Sequence, residues 1–354
     1  MNYKKVGCLT WHDVYNYGSE LQAYALQETL KSLGYSSEFI SYKKESSLFS
    51  KIYRYFCEFR ALVTPTDKWC HGEAFIRFRH DFLKCSKKKY NSKNIVTANK
   101  KYSVFICGSD QIWAPNVYDP TYFLSFTDKK KVSYAASIGL NEIPNELLPQ
   151  YSKYLFDFHS ISVRETEGKE LLKKCCNIDS VVMPDPTTLL NGDQWKHISI
   201  LPKTTKPYVF CYFLNKNHGY KEMVMKMAQQ GIDIIGISAS SGDAYWMQLV
   251  NSAGPREFLG YIEKADMVFT DSFQGSIFSL VFQKPLWIFE RFKAIDPLCQ
   301  NSRIYQLTRD LSITDRILTQ NTNNDTPIDY NTVQMKLNEY IVKGRAFLKR
   351  SLED

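Results

Sequence analysis

Residues 6–42 of the chain read VGCLTWHDVYNYGSELQAYALQETLKSLGYSSEFISY, and this stretch indicates the fold. Its first five residues form a short apolar run, which is typical of a buried parallel strand. Apolar side chains then recur at helical spacing from Leu21 to Leu33, and Gly34 stands where a C-cap glycine belongs. Residues 38–42 have the pattern of a second strand. The stretch therefore predicts a β-α-β unit, with a loop at residues 12–18 before its helix.

The same alternation of strands and helices continues along both halves of the chain. Further apolar runs predict strands at 102–107, 131–135, 161–163, 181–183, 208–214, 232–237, 267–270 and 285–289. Helical patterns lie between them, so we expect an α/β fold with two Rossmann-like, doubly wound domains that face each other across a cleft. A polar stretch with two prolines, residues 202–207, places the expected domains at 1–205 and 206–354.

Residues 43–100 interrupt this rhythm. They are rich in Lys, Tyr and Phe and poor in strand signals, so we expect a helical insertion. Its apolar residues fall on helical faces in two groups, which are Phe49, Ile52, Tyr53, Phe56 and Phe59, and then Phe75, Phe78 and Phe82. Such stripes favour packing into a core, and the alternative is a patch that lies on a membrane surface.

The composition limits the class of protein. The chain has 354 residues, a net charge of +8 and nine cysteines, none of them in a CxxC pair. This cysteine pattern favours a reduced, cytoplasmic setting, and we see neither a signal-peptide core nor an apolar run long enough to span a bilayer. The positive charge belongs to solvated loops or to a surface that attracts anions. Zinc-ligand spacing, nucleotide-binding glycine motifs and the aromatic–basic pattern of single-strand binders are missing, so the sequence does not favour a metal or a nucleic acid.

Polar clusters follow many of the predicted strands, at the edge where open α/β sheets bind ligands. They lie at 12–18, 108–111, 137–139, 164–165, 184–186 and 271–275. Arg164 could hold a carboxylate or phosphate in a bidentate contact, or could form an ion pair with Glu165 or Glu167. Ser272 could cap a helix whose first N–H groups attract an anion, and the two roles are compatible.

Several of these strings, taken in order, resemble the polysaccharide pyruvyl transferase family. They are TWH at 10–12, NYG at 16–18, LQAYAL at 21–26, GSDQIW at 108–113, SYAAS at 133–137, SVRE at 162–165, DPT at 185–187, TDSF at 270–273 and NSRI at 301–304. The resemblance runs from about residue 4 to about residue 320. It implies a GT-B-like arrangement of the two Rossmann-like domains, with the acceptor on the side of 1–205 and the donor on the side of 206–354.

The resemblance also implies a reaction. The donor would be phosphoenolpyruvate, and the acceptor a sugar diol of a cell-surface glycan, exopolysaccharide or capsule, or of its lipid-linked precursor. The product would be a cyclic pyruvate ketal, with phosphate released and with no metal or other cofactor. A lipid-linked acceptor would place the enzyme in the cytoplasm at the inner face of the membrane, with peripheral membrane contact.

This chemistry suggests roles for the candidate residues. The donor carries two anionic groups, so it needs cationic and N–H donors, and the attacking hydroxyl needs a base. We expect Arg164, Ser272, Gln274 and Gly275 to bind the donor. We expect His12, Asp13, Asn16, Gly18 and Asp110 to form the acceptor side, with Asp110 as the base. The expected catalytic residues are Asp110, Arg164 and Gln274.

One position departs from the family pattern. Relatives commonly have Ser-Phe-His-Gly where this chain has Ser272-Phe273-Gln274-Gly275. Glutamine can donate a hydrogen bond but cannot titrate. An inactivated chain, altered chemistry, or a histidine role limited to hydrogen bonding would each explain the difference. Two alternative functions also remain open, namely a nucleotide-sugar glycosyltransferase of GT-B type and a binding protein that has lost catalysis at Gln274.

Overall fold

The computed structural model describes residues 5–44, 67–215, 219–228, 231–238, 244–292, 299–318 and 326–353. Within these ranges the strands are β1 Lys5–Leu9, β2 Ser36–Tyr42, β3 Cys85–Tyr90, β4 Val104–Cys107, β5 Lys130–Ser133, β6 Ser162–Val163, β7 Val181–Val182, β8 Tyr208–Phe213, β9 Asp233–Ser238, β10 Gln248–Leu249, β11 Met267–Thr270, β12 Leu286–Phe289 and β13 Ile317–Leu318. The helices are α1 Tyr17–Ser32, α2 Asp67–Phe82, α3 Leu148–Phe156, α4 Thr166–Cys176, α5 Gly192–Lys196, α6 Tyr220–Met227, α7 Pro255–Lys264, α8 Phe273–Val281, α9 Ser302–Asp310 and α10 Tyr330–Glu353.

The first sheet is parallel and has the order β3-β2-β1-β4-β5. This order corresponds to five of the six strands of a Rossmann fold, and the strand order reverses between β1 and β4. Both central strands are almost fully buried, which explains why they appear in the sequence as unbroken apolar runs. Loops 12–16 and 108–111 follow these two strands. They therefore lie at the point of the sheet where Rossmann-like folds bind ligands.

Helix α1 begins after a residue that favours an N-cap and ends before a residue that favours a C-terminal turn. The Asn16 side chain accepts a hydrogen bond from Ser19 N–H and caps the first turn. At the other end, Gly34 has a φ of +87° and donates to Lys31, while Tyr35 N–H donates to the Leu30 carbonyl. These two bonds form a Schellman motif, which requires a left-handed residue and so favours glycine. The predicted β-α-β unit is confirmed.

The insertion differs from its expected all-helical form. Helix α2 buries Phe75 and Phe78 as the aromatic pattern predicted, but residues 85–90 form strand β3 at the edge of the first sheet. We did not predict this strand because Lys87, Lys88 and Lys89 occupy it, and only an edge strand tolerates such a run of exposed lysines. The first apolar group, Phe49 to Phe59, lies outside the described residues.

The second sheet is also parallel, with the order β10-β9-β8-β11-β12-β13. Its strand order reverses between β8 and β11, so residues 214–215 and 271–275 follow the strands on either side of that point. Helix α8 packs directly on these strands. A Cβ atom at Gly275 would lie 2.4 Å from Thr270 Oγ1, so only glycine permits this close approach.

The chain divides into two compact units at other points than the predicted boundary at 205. The first unit contains the described residues up to 44, Ile76–Leu190 and 340–353, and the second contains 67–75 and the described part of Asn191–Glu339. Helix α5 belongs to the second unit because the Trp195 ring lies 4.9 Å from that of Phe278. The end of α10 belongs to the first because the Phe347 ring lies 6.0 Å from that of Tyr134. Long-range packing of this kind leaves no local signal in the sequence.

No helix in the described ranges combines the length and the apolar character that a bilayer span requires.

Candidate functional site

The turn after β4 holds Asp110 in an unusual backbone conformation. Its φ is +68°, which non-glycine residues seldom adopt, and the preceding Gly108 has a φ of +102°. A Cβ atom at Gly108 would lie 2.3 Å from the Tyr134 carbonyl oxygen, so the turn needs glycine there. The Asp110 carbonyl is held by the chain around it, since it accepts a hydrogen bond from Ser137 N–H at 2.9 Å. The partly exposed Asp110 carboxylate is thus fixed beside the switch point of the first sheet.

The start of α1 contributes directly to the position of this carboxylate. Asp110 Oδ2 accepts a hydrogen bond from Ser19 Oγ, and Asp110 Oδ1 accepts from Gln111 N–H at 2.8 Å. Asn16 caps the same helical turn, and Gly18 lies buried within it. Asn16 and Gly18 therefore shape the surroundings of Asp110. Ser19 was missed, although its place directly after the matching string NYG, three residues after Asn16, was a usable signal.

His12 and Asp13 are neighbours in the chain, but the first is buried and the second is exposed. The His12 ring is buried, stacks on Phe39 with a centroid distance of 5.2 Å, and places Nδ1 3.0 Å from the Thr10 carbonyl oxygen. Burial lowers the pKa of His12 to about 4, so the ring is neutral at physiological pH. Contact between His12 and an acceptor is therefore not supported by its position. Asp13 is exposed and forms ion pairs with Arg79 and with Lys43.

Arg164 lies inside the first unit among carboxylates. Its side chain is only 5% exposed, with Nε 3.0 Å from Glu165 Oε1 and Nη1 2.8 Å from Asp185 Oδ2. Burial alone would lower the pKa of Arg164, but the charges of Glu165, Asp185 and Asp110 raise it above its usual value. The guanidinium thus balances a group of buried acids. We expected Arg164 to contact the donor directly. Its position does not support that contact, because the carboxylates of Glu165 and Asp185 already balance the guanidinium charge within the fold.

The partners of Arg164 connect it to the Asp110 turn. Asp185 also accepts from Thr187 N–H at 3.0 Å, which caps the short 3-10 turn that follows it. Glu165 Oε1 accepts from Ser137 Oγ at 2.6 Å, and the same Ser137 donates its N–H to the Asp110 carbonyl. A continuous buried network therefore links Arg164 to the backbone of Asp110. Asp185 and Ser137 were quoted in the matching strings without a predicted role, whereas Glu165 was named as a possible ion-pair partner of Arg164, which it is.

In the second unit, Ser272 caps helix α8. Its Oγ accepts from Gly275 N–H at 3.3 Å, and its own N–H donates to Thr270 Oγ1 at 3.0 Å. The capping role predicted for Ser272 is confirmed. Because the cap uses the Gly275 N–H, that group is committed within the helix, and Gly275 serves close packing rather than the hydrogen bond to the donor that we expected. Gln274 lies in the first helical turn with a partly exposed side chain.

Asp271 fixes the neighbouring loop. Its carboxylate accepts from Leu214 N–H at 2.7 Å and from Asn215 N–H at 2.8 Å, which ties the end of β11 to the loop after β8. Burial raises the pKa of Asp271 to about 6, while these two N–H groups and the charge of Arg291 oppose the increase. The carboxyl therefore changes its charge within the range of ordinary buffers.

Two arginines lie near the start of α8. Phe273 is the first residue of this helix, and the Arg303 guanidinium carbon lies 5.9 Å from the centre of its ring. Arg291 acts electrostatically on Asp271, the residue before the cap. Both arginines are partly exposed. Arg303 belongs to the quoted NSRI string, and Arg291 was missed, although a cation just after β12 is placed at the ligand-binding edge of the sheet.

The two units and the polar residues at their switch points define the class of this protein as a two-domain, Rossmann-like α/β protein. Solved structures have the same fold at very low sequence identity. An MnaA structure from S. aureus, solved with UDP, has a TM-score of 0.53 and 10% identity and covers 98% of this chain and 91% of its own. A structure described as a putative UDP-N-acetylglucosamine 2-epimerase from Listeria monocytogenes has a TM-score of 0.52, 10% identity and the same coverage. The predicted α/β class with Rossmann-like domains is confirmed.

The model of the polysaccharide pyruvyl transferase family matches residues 16–291, and the chain belongs to that family. The matched range includes Asp110, Arg164 and the start of α8. No curated protein matches the chain in sequence. Membership places the protein among the transferases of polysaccharide biosynthesis, with a sugar or glycan as acceptor.

Proposed function

We propose that this protein transfers pyruvate from phosphoenolpyruvate to two hydroxyl groups of a cell-surface glycan or its lipid-linked precursor. The observation that carries the proposal is the start of α8 within the matched family range, where a capped helix carries Gln274 and Arg303 lies over the ring of the neighbouring Phe273. A helix N-terminus attracts anions through its N–H groups and dipole, and an arginine pairs with carboxylate or phosphate. Phosphoenolpyruvate carries both of these groups.

The reaction balances without a metal or other cofactor. The methylene carbon of the donor gains a proton and becomes a methyl group, and one hydroxyl oxygen bonds to the adjacent carbon. The bond from that carbon to the phosphate oxygen then breaks, and the second hydroxyl oxygen takes its place to close the ketal. Of the two hydroxyl protons, one is accounted for by the methyl group and the other leaves with phosphate. The acceptor therefore needs a base, and the donor carbon needs an acid.

Asp110 is the proposed base for the acceptor hydroxyl. Its carboxylate is partly exposed, and Ser19 and the Gln111 N–H hold it in one orientation. Asn16, Gly18 and Asp13 belong to the same loop and helix start, and we assign them to the acceptor side. Arg164 would support the reaction indirectly, because it holds Glu165 and Asp185 and, through Ser137, the backbone of Asp110.

The start of α8 is the proposed donor site. Gln274 would donate a hydrogen bond to the phosphate or carboxylate, and Arg303 would supply positive charge, with Arg291 as a second cation. Ser272 would set the geometry of the first turn through its cap. Gln274 is not the acid that protonates the methylene carbon, because the glutamine side chain cannot titrate.

The test is phosphate release from phosphoenolpyruvate in the presence of a panel of glycans and lipid-linked sugars. Release that depends on an acceptor, with a pyruvate ketal in the product by mass spectrometry, is the expected result. The Arg303→Ala variant should weaken phosphoenolpyruvate binding by about tenfold or more. Arg309→Ala, which removes an exposed arginine from the same helix α9, is the matched control. Release of a nucleotide from sugar nucleotides, with no reaction of phosphoenolpyruvate, would instead identify a glycosyltransferase.

A further inference from the structure

The loop before α1 presents one aromatic ring to solvent. The Trp11 ring packs edge-on against Tyr122 with a centroid distance of 6.4 Å, and the His12 ring is buried on Phe39. Tyr15, by contrast, is 60% exposed. Burial of a tyrosine ring would be favourable, so an exposed ring at the ligand-binding edge of a parallel sheet is an informative feature.

An almost buried arginine supports this ring from one side. The Arg79 guanidinium carbon lies 5.4 Å from the centre of the Tyr15 ring, and the Arg79 side chain is only 13% exposed. Arg79 is itself held in place, since it forms an ion pair with Asp13 and its Nε lies 3.5 Å from Glu20 Oε1. A cation over one face of a ring is a favourable contact that limits the orientations of the ring. The Tyr15 ring is thus exposed to solvent, while Arg79 limits its orientation.

The arginine that supports the ring also contacts charged groups that can form hydrogen bonds. Asp13 pairs with Lys43 at 2.9 Å as well as with Arg79, and the side chains of Asp13 and Lys43 both remain in contact with solvent. An aromatic ring and a carboxylate that share one arginine, with an ammonium group paired to that carboxylate, suit a pyranose. The C–H face of the sugar packs on the ring, and its hydroxyl groups bond to the charged side chains.

This ring is also close in the chain to a residue that holds the proposed base. Tyr15 immediately precedes the cap residue Asn16, and Ser19 in the following turn donates to Asp110. A sugar stacked on Tyr15 would therefore lie near the carboxylate that acts on the acceptor.

We propose that Tyr15, Asp13 and Lys43 form a pyranose-binding subsite for the acceptor glycan, with Arg79 as a positioning residue that orients the Tyr15 ring. This inference rests on the proposed function for the identity of its ligand, and it names the part of the acceptor that is recognised. The sugar bound on Tyr15 is either the pyruvylated residue itself or its neighbour in the glycan.

The subsite can be tested by binding alone. The probe is methyl β-galactopyranoside, with methyl β-glucopyranoside as a second ring and sorbitol as an open-chain polyol, and the measurement is saturation-transfer NMR with a titration. Tyr15→Ala should weaken pyranoside binding about 2–10-fold, and Tyr15→Phe, which keeps the ring, should bind as the native protein does. Phe156→Ala removes a ring that is 81% exposed on the same unit and should change nothing.

The role of Arg79 needs a kinetic measurement. Arg79→Lys keeps the charge but loses the planar group, so it should raise the KM for the acceptor and leave kcat and the KM for phosphoenolpyruvate unchanged. A variant that was merely unstable would lose active enzyme and lower the apparent kcat.

Several results would overturn the inference. They are the absence of pyranoside binding by the native protein, equal binding by Tyr15→Ala, and binding of sorbitol as strong as that of the pyranosides. The proposed function can fail separately. If pyranosides bind in a way that depends on Tyr15 but phosphoenolpyruvate releases no phosphate with any acceptor, the subsite stands and the transfer reaction is wrong.

Discussion

Arg164 Nη1 donates a hydrogen bond to Asp185 Oδ2 over 2.8 Å, and the two side chains are almost completely buried. The two residues are 21 positions apart in the sequence and meet where β6 and β7 end. Together with Glu165 they form a compact charged cluster under the Asp110 turn. Removal of one charge would leave the others buried without compensation, which is the costly way to disturb such a cluster.

We therefore expect Arg164→Ala to act mainly on stability. The free energy of unfolding should fall by about 3–5 kcal/mol, measured by urea denaturation. Lys173→Ala is the matched control, because it removes one partner of an exposed ion pair with Asp179 and should cost about 0.5 kcal/mol. If the Arg164→Ala protein is fully stable and binds phosphoenolpyruvate more weakly, Arg164 contacts the donor directly after all.

Asp110→Asn tests the proposed base. Asparagine keeps the shape and an acceptor oxygen, so the turn should survive, but it cannot take a proton from a hydroxyl group. The kcat for acceptor-dependent phosphate release should fall by about 10²–10⁴-fold, with phosphoenolpyruvate affinity unchanged by calorimetry.

Ser19→Ala separates orientation from proton transfer at Asp110. It removes one hydrogen bond to the carboxylate, so its effect on kcat should be a small fraction of that of Asp110→Asn. Full activity of Asp110→Asn would show that another group acts as the base.

Gln274→His tests whether this position titrates. Histidine at the start of α8 could donate a proton or place a positive charge beside the donor phosphate, whereas glutamine retains only a hydrogen bond. We expect donor affinity to be similar and turnover to rise by about 10²–10⁴-fold, with a new ionisation in the pH profile of phosphate release. Equal rates at every pH would exclude a titrating role and would make Gln274 a working member of the site.

The raised pKa of Asp271 predicts how the free energy of unfolding depends on pH. Its pKa is about 6 in the folded protein and about 4 in an unfolded chain, so the folded state binds the proton more tightly. Its contribution to stability is then complete below about pH 4 and is lost as the pH rises through about 6.

Asp271→Asn removes this dependence, since asparagine does not ionise. The difference in unfolding free energy between variant and native protein should shift in favour of the variant by about 2 kcal/mol from pH 4 to pH 7, measured by denaturant titration in a pH series. A constant difference over that range would mean that Asp271 does not ionise as described.

Local patterns predicted a large part of the fold. Strand β11 begins and ends where the sequence indicated, because a short buried run is a local signal. Strand β3 was missed for an equally physical reason. Its three lysines are allowed by its edge position, and an edge position depends on the neighbouring strand rather than on the residues themselves.

The amino-acid sequence by itself determined the α/β rhythm, the family and the polar segments at the strand ends, because these depend on residue types at short spacing. Only the tertiary structure decided which of those residues are available to a ligand. Arg164 became an internal counter-ion and His12 a buried neutral ring, while Asp110 and Tyr15 kept contact with solvent. Burial and charge pairing act through space, between residues that the fold brings together from distant parts of the chain.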